Sequence, residues 1–125
     1  MGWSKSTIET AADGTLIADA ATVLWANIGN GYPRYLAGIR FELVADQADD
    51  YATCIVKLYD GDPSGGNYSL IGNYRVPALE DGTTGWYVHD RDVEWAHKKI
   101  ITRGLYAICT VDDGCYAIPY ELIKL

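Results

Sequence analysis

The chain has 125 residues, 49% of them hydrophobic and 22% charged, which is the size and composition of one globular domain. Ten Lys and Arg stand against seventeen Asp and Glu, a net charge of −7, and no basic cluster exceeds Lys98-Lys99, which argues against direct nucleic-acid binding. The apolar runs are too short to cross a membrane, and no apolar core follows Lys5, so neither a membrane partner nor a secretory signal is expected.

Twelve of the acids are Asp, a residue that favours turns over helices, and the chain reads as short strands cut by turns. Residues 1–34 are expected to form an irregular N-terminal arm with the first strands, and 35–125 the body of a single domain. Within the first part, Ser6 to Thr10 and Val23 to Asn27 suit strands, and Ala18 to Leu24 offers a weaker helical alternative. Tyr35, Ala37, Ile39, Phe41 and Leu43 alternate with polar residues and predict one face of a strand. A loop rich in Asp follows, then Thr53 to Tyr59, with Cys54, Val56 and Leu58 on one face. Asp60-Gly61-Asp62-Pro63-Ser64-Gly65-Gly66-Asn67 is the strongest turn signal. Beyond it, Ser69 to Val76 predicts a strand with Leu70, Tyr74 and Val76 on one side, ended by Pro77. Trp86 to Val88 reads as a short strand.

The stretch from His89 to Thr102 fits either a strand or a helical turn capped by Asp92. Leu105, Ala107, Cys109 and Val111 mark a further strand. The last one, Tyr116 to Leu122, groups Tyr116, Ile118, Tyr120 and Leu122, with Pro119 opposite them and suggesting an edge or a bulge. Seven to nine such strands predict an all-β, antiparallel β-sandwich, jelly-roll-like in its spacing.

No constellation in the sequence carries catalysis, so the chain is not expected to be an enzyme, and no cofactor or metal residue is assigned. His89-Asp90-x-Asp92 lacks a second histidine at ligand spacing, His97 being eight residues on, and it has Arg91 beside it. Asp60-Gly61-Asp62 opens like a calcium loop, but position twelve is Ile71 where an EF-hand needs Glu. Asp46, Asp49 and Asp50 are the remaining acids for an irregular calcium site. Neither G-x-S-x-G nor H-E-x-x-H occurs. Gly2 with Ser6 fits a myristoylation pattern loosely, and Asn67-Tyr68-Ser69 is a formal glycosylation sequon. Of the three cysteines, Cys109 and Cys115 flank Asp112-Asp113-Gly114. If Asp113-Gly114 is a two-residue hairpin loop, Cys109 pairs with position 118 and does not face Cys115. All three read as free thiols, Cys54 and Cys109 buried and Cys115, beside the turn, the most reactive.

Ten tyrosines and four tryptophans exceed what a two-sheet core of this length hides, and the surplus points to an interface drawn from Trp3, Trp86, Tyr87 and Trp95. Tyr74, Tyr116 and Tyr120 are expected to pack inward; Tyr59, Tyr106 and Trp86 are candidates for exposure.

Gly38-Ile39-Arg40-Phe41-Glu42, Val56-Lys57-Leu58-Tyr59-Asp60-Gly61, Leu70-Ile71-Gly72, Arg103-Gly104-Leu105-Tyr106-Ala107 and Ala117-Ile118-Pro119-Tyr120-Glu121 together resemble small jelly-roll or sandwich structural proteins of tailed-bacteriophage particles. The resemblance spans roughly residues 35–123 and brings no catalytic residues. It implies a capsid-decoration, head-fibre or neck role in a virion assembled in the host cytoplasm. The partners would be the chain itself, as a homo-oligomer with a trimer favoured, and a major capsid or other virion protein. The alternative is a carbohydrate- or receptor-binding module, in which exposed aromatics stack on sugar rings.

Overall fold

A computed structural model describes residues 3–7, 14–26, 33–43, 54–76, 78–81, 85–88 and 90–124. The strands are β1 (Trp3–Thr7), β2 (Thr15–Ile17), β3 (Thr22–Trp25), β4 (Arg34–Leu43), β5 (Ile55–Asp60), β6 (Ser69–Arg75), β7 (Ala78–Asp81), β8 (Gly85–Val88), β9 (Asp90–Ile101), β10 (Leu105–Cys109) and β11 (Cys115–Lys124). None of the described residues is helical. One sheet runs β1-β11-β4-β9, with β2 also on β11; the second runs β3-β10-β5-β6; β7 and β8 form a separate hairpin. Every pairing is antiparallel. The two sheets hold nine strands, and the β7–β8 hairpin brings the described strands to eleven; its β8 is the short strand expected at Trp86 to Val88.

The buried cluster draws Ile17, Leu36, Ile39, Phe41, Ile101 and Ala117 from the first sheet. Leu24, Trp25, Val56, Leu58, Leu105 and Ala107 enter it from the second. Two sheets closing on one core make a β-sandwich. Each fully buried Leu, Ile or Val contributes about 1.5–3 kcal/mol by leaving water. β10 and β5 show how alternation specifies this: Leu105, Ala107 and Cys109 are buried opposite Val56 and Leu58, while Tyr106, Ile108 and Lys57 turn outward.

The segment 1–34 contributes three strands to the sandwich. β1 and β2 share the same flank of β11, at Tyr120–Lys124 and Cys115–Ala117, and β3 borders β10. β1 begins at Trp3, earlier than the expected Ser6, and Ala18 to Leu24 is not helical. The ambiguous stretch after His89 is the twelve-residue strand β9.

Three faces differ from expectation, and a bulge accounts for two of them. In β4, Leu36, Ile39 and Phe41 are fully buried while Tyr35 and Ala37 are only half-buried. Against β11 the consecutive residues Tyr120 and Glu121 face Gly38 and Leu36, so Ala37 is an extra residue that reverses the alternation; against β9 the register also shifts there, but the excess lies on β9, whose residues 95–98 stand opposite Ala37. Gly38 is required there, because a Cβ would lie 2.6 Å from the Val93 carbonyl oxygen. In β6, Ile71 is the extra residue opposite Leu58/Tyr59, and Leu70 turns outward at 52% exposure while Tyr74 and Val76 stay against the core. In β11 the buried face is Cys115, Ala117 and Pro119, not the expected Tyr116, Ile118 and Tyr120. The strand is central in its sheet, so small residues fit beneath the opposing sheet. Tyr116 and Tyr120 are half-buried on the other face, and Ile118 is covered there next to Gly14. Pro119 sits where that flank of β11 changes from β2 to β1, and the bulge on β11's other flank follows at Tyr120/Glu121.

Candidate functional site

The two ends of the β5–β10 pair carry the most distinctive side-chain chemistry among the described residues. At one end, Asp60 closes β5 and pairs with Leu105. It is only 8% exposed. Its carboxylate accepts the N–H of Arg103 at 2.9 Å, the N–H of Thr102 at 3.2 and 3.3 Å, and the Thr102 hydroxyl at 3.3 Å. The Arg103 guanidinium stands 4.0 Å away. Gly61, at φ +100°, donates its N–H to the Gly104 carbonyl at 2.8 Å, and a Cβ at this position would collide with Asn67. The turn after β5 is thereby latched to the turn before β10.

Arg103 continues the network outward, donating to the Asn67 side-chain oxygen and to the Ser69 hydroxyl at 3.0 Å. Its Nε is buried with no protein partner. Asp62, Gly65, Gly66, Asn67, Arg103 and Tyr106 line an open cleft of about 230 Å³ here. The Ser64 hydroxyl and N–H both donate to the Asp62 carboxylate, at 2.6 and 2.9 Å, and hold its pKa below the ordinary value of 3.8. Tyr59 and Tyr68 meet edge to face at 5.6 Å on the same side of the second sheet. Thus Asp60 and Asp62, the first residues of the calcium-like motif, spend their oxygens on Thr102, Arg103 and Ser64; Asp46, Asp49 and Asp50 lie outside the described residues.

At the other end, the thiols depart from expectation. β10 and β11 belong to different sheets, so Asp113-Gly114 is not a hairpin loop but a crossover turn. Gly114 donates to the Val111 carbonyl at 3.0 Å, and Asp113 takes φ +55°. Cys109 therefore approaches Cys115 after all, with sulfurs 3.9 Å apart, and Cys54 comes to 3.3 Å from Cys109. The three sulfurs all lie within 4.8 Å of one another. All three residues are fully buried, including Cys115, expected beside its turn to be the most reactive. Hydrogen bonds from the Cys115 and Cys54 thiols, with the N–H groups of Val111 and Gly114, hold the Cys109 thiol low, down to about 3. Its partners go the other way: bonding to Cys109 pushes Cys54 up to about 12 and raises Cys115 as well.

The aromatic expectations divide. Tyr74 packs inward, with its ring centre 6.0 Å from Phe41 and 6.2 Å from Trp95, and Arg91 lies over it at 5.8 Å. Trp95, an interface candidate, is thus half-buried against the core. Trp25 is buried beneath the Arg34 guanidinium, 4.1 Å from its ring centre. Tyr59 and Tyr106 are half-buried, not free. Trp3 lies on β1 and Trp86 and Tyr87 on β8, with side chains outside the described set, as is His89. Asp90 and Asp92 lie on β9 opposite Glu42 and Arg40, and His97 is exposed on the same strand.

Sequence reading missed both ends of the β5–β10 pair as units. Asp60 and Arg103 are 43 residues apart, and only the immediate Gly after each hinted at paired turns. For the thiols, each cysteine's apolar face was legible, but not which sheet would oppose it. No protein-family model, curated protein or solved structure matches the chain.

Proposed function

We propose that this chain is a non-enzymatic structural protein of a tailed-bacteriophage particle, a decoration or cement component that self-associates and binds a capsid or tail surface. The strand order carries the reading. If β1 and β2 count as one position and the β7–β8 hairpin is set aside, the eight remaining positions run 1-8-3-6 in one sheet and 2-7-4-5 in the other. That order supports a jelly-roll reading of the sandwich, an architecture common to viral capsid proteins and lectins. The sandwich is also open: β6 and β9 each pair on one side only among the described strands. Apolar side chains stand out on both, Leu70 at 52% and Ile100 at 55% exposure. Such edges suit protein contacts, and the net charge of −7 keeps unpartnered copies apart. The assembly in this reading is a closed homo-oligomer, a trimer at capsid three-fold positions, and neither nucleic acid nor membrane is a partner. The virion is its location, after synthesis in the host cytoplasm.

Light scattering on the purified protein, with co-sedimentation on phage heads and tails, tests this. A trimer that pellets with particles is expected; a strict monomer that stays in the supernatant overturns it. The polar cleft beside Tyr106 favours the carbohydrate-binding reading as the second choice, because a carboxylate, an amide, a guanidinium and a phenol converge there. Glycan binding that is lost in Tyr106→Ala, from a monomer indifferent to particles, would establish it instead.

A further inference from the structure

From the three-sulfur cluster we infer that Cys54, Cys109 and Cys115 form a buried trigonal site for one copper(I) ion, bridging the two sheets of the sandwich. With a metal–sulfur distance of about 2.3 Å, an ion at the centre of three sulfurs needs them about 4 Å apart. The Cys109–Cys115 separation is already 3.9 Å. Cys54 and Cys109 stand at 3.3 Å and need to part by roughly 0.7 Å, within the reach of one χ1 adjustment. No sulfur pair exceeds 4.8 Å.

The donor set selects the ion. Soft thiolates favour copper(I) and zinc over hard cations. Zinc takes four ligands, and among the described residues no His, Cys, Asp or Glu completes a fourth position around this cluster. Copper(I) is satisfied by three. It enters as copper(I), with no change of oxidation state, and each thiol that binds as thiolate releases its proton to water. The sulfurs bring negative charge into the core.

The topology gives the site a structural consequence. Cys54 precedes β5 and Cys109 ends β10, both in the second sheet, whereas Cys115 begins β11 in the first. A bound ion ties the sheets together beside the crossover turn and stabilises the folded chain by mass action. This inference does not depend on the virion reading, and neither outcome below bears on particle binding.

The experiment is an anaerobic titration of the fully reduced protein with copper(I) buffered by bicinchoninate, followed by copper X-ray absorption on the wild-type complex. One copper(I) per chain is expected, with three sulfur neighbours at about 2.3 Å and a raised Tm. Cys54→Ala, Cys109→Ala and Cys115→Ala should each weaken binding more than about 100-fold, beyond the loss from disturbing an outer-shell partner. Failure to compete with bicinchoninate, fewer than three sulfur neighbours, or undiminished affinity in all three variants overturns the proposal. The wild-type coordination number decides the matter even where a core variant fails to fold.

Discussion

The two ends of the β5–β10 pair close the same piece of sandwich by opposite means. At the Asp60 end a carboxylate in the protein edge is surrounded by donors from Thr102 and Arg103. At the Cys109 end three thiols fill the space between the sheets. A buried acceptor holds the chain through direction: remove it, and backbone N–H groups are left without partners. Sulfur holds the chain through volume, and what replaces it matters mainly by size and polarity. The latch therefore fixes where two turns sit relative to each other, while the thiol cluster fixes how closely two sheets approach.

Asp60→Ala tests the contrast most severely. It strips the acceptor from the N–H groups of both Thr102 and Arg103 and should cost about 3 kcal/mol in urea denaturation. Asp60→Asn, which keeps one acceptor oxygen, should cost clearly less; equal losses would show that charge rather than geometry holds the turns. At the sulfur end, Cys109→Ala in metal-free protein leaves a small cavity and should cost about 1–2 kcal/mol. Cys109→Ser should cost more than Cys109→Ala despite its better match in size, because a hydroxyl is more strongly hydrated than a thiol and must be fully desolvated at this buried site. If Ser is the milder change, the cluster behaves as a polar network and the contrast fails.

Thiol labelling sharpens it further. All three cysteines should react with a thiol reagent only as fast as the protein opens, and at one common rate. Early modification of Cys115 alone would mean that the crossover turn frays independently of the core.

The smallest effect belongs to Asp62, whose fully exposed carboxylate is held by Ser64. A carboxyl with a folded pKa below its unfolded value adds stability above that unfolded value, near 3.8, and loses it as pH falls through the lower folded one. Ser64→Ala should return the Asp62 titration seen by NMR to the ordinary range and flatten that part of the acid limb, leaving stability at neutral pH almost unchanged.

How much of this was legible varies with the distance over which each feature is decided. The inward faces of β5 and β10 follow from Cys54, Val56 and Leu58 and from Leu105, Ala107 and Cys109, because alternation is local. The faces of β4 and β6 reverse at Ala37, against β11, and at Ile71, against β5, since a bulge adds one residue without any composition of its own. β11 was misread because Tyr counts as apolar in a pattern yet sits comfortably half-exposed, while Ala117 and Cys115 fill the inside. The Asp-Gly turn after β10 looks the same whether it joins neighbours within a sheet or strands of facing sheets. That choice is made by partners elsewhere in the chain, and with it the gathering of the thiols. The Asp60–Arg103 latch is of the same kind, a contact between two turns that no short window contains.

β11 sets a schedule for the newborn chain. It lies between β4 on one flank and β1 and β2 on the other, and its pairing joins Trp3 to Lys124. During synthesis β1 and β2 wait, unpaired, until residues 115–124 leave the ribosome, while β4 has β9 to pair with before that. The second sheet needs nothing beyond Cys109 to complete its own ladder. Folding should thus finish late and all at once, with the longest-range contacts setting its pace.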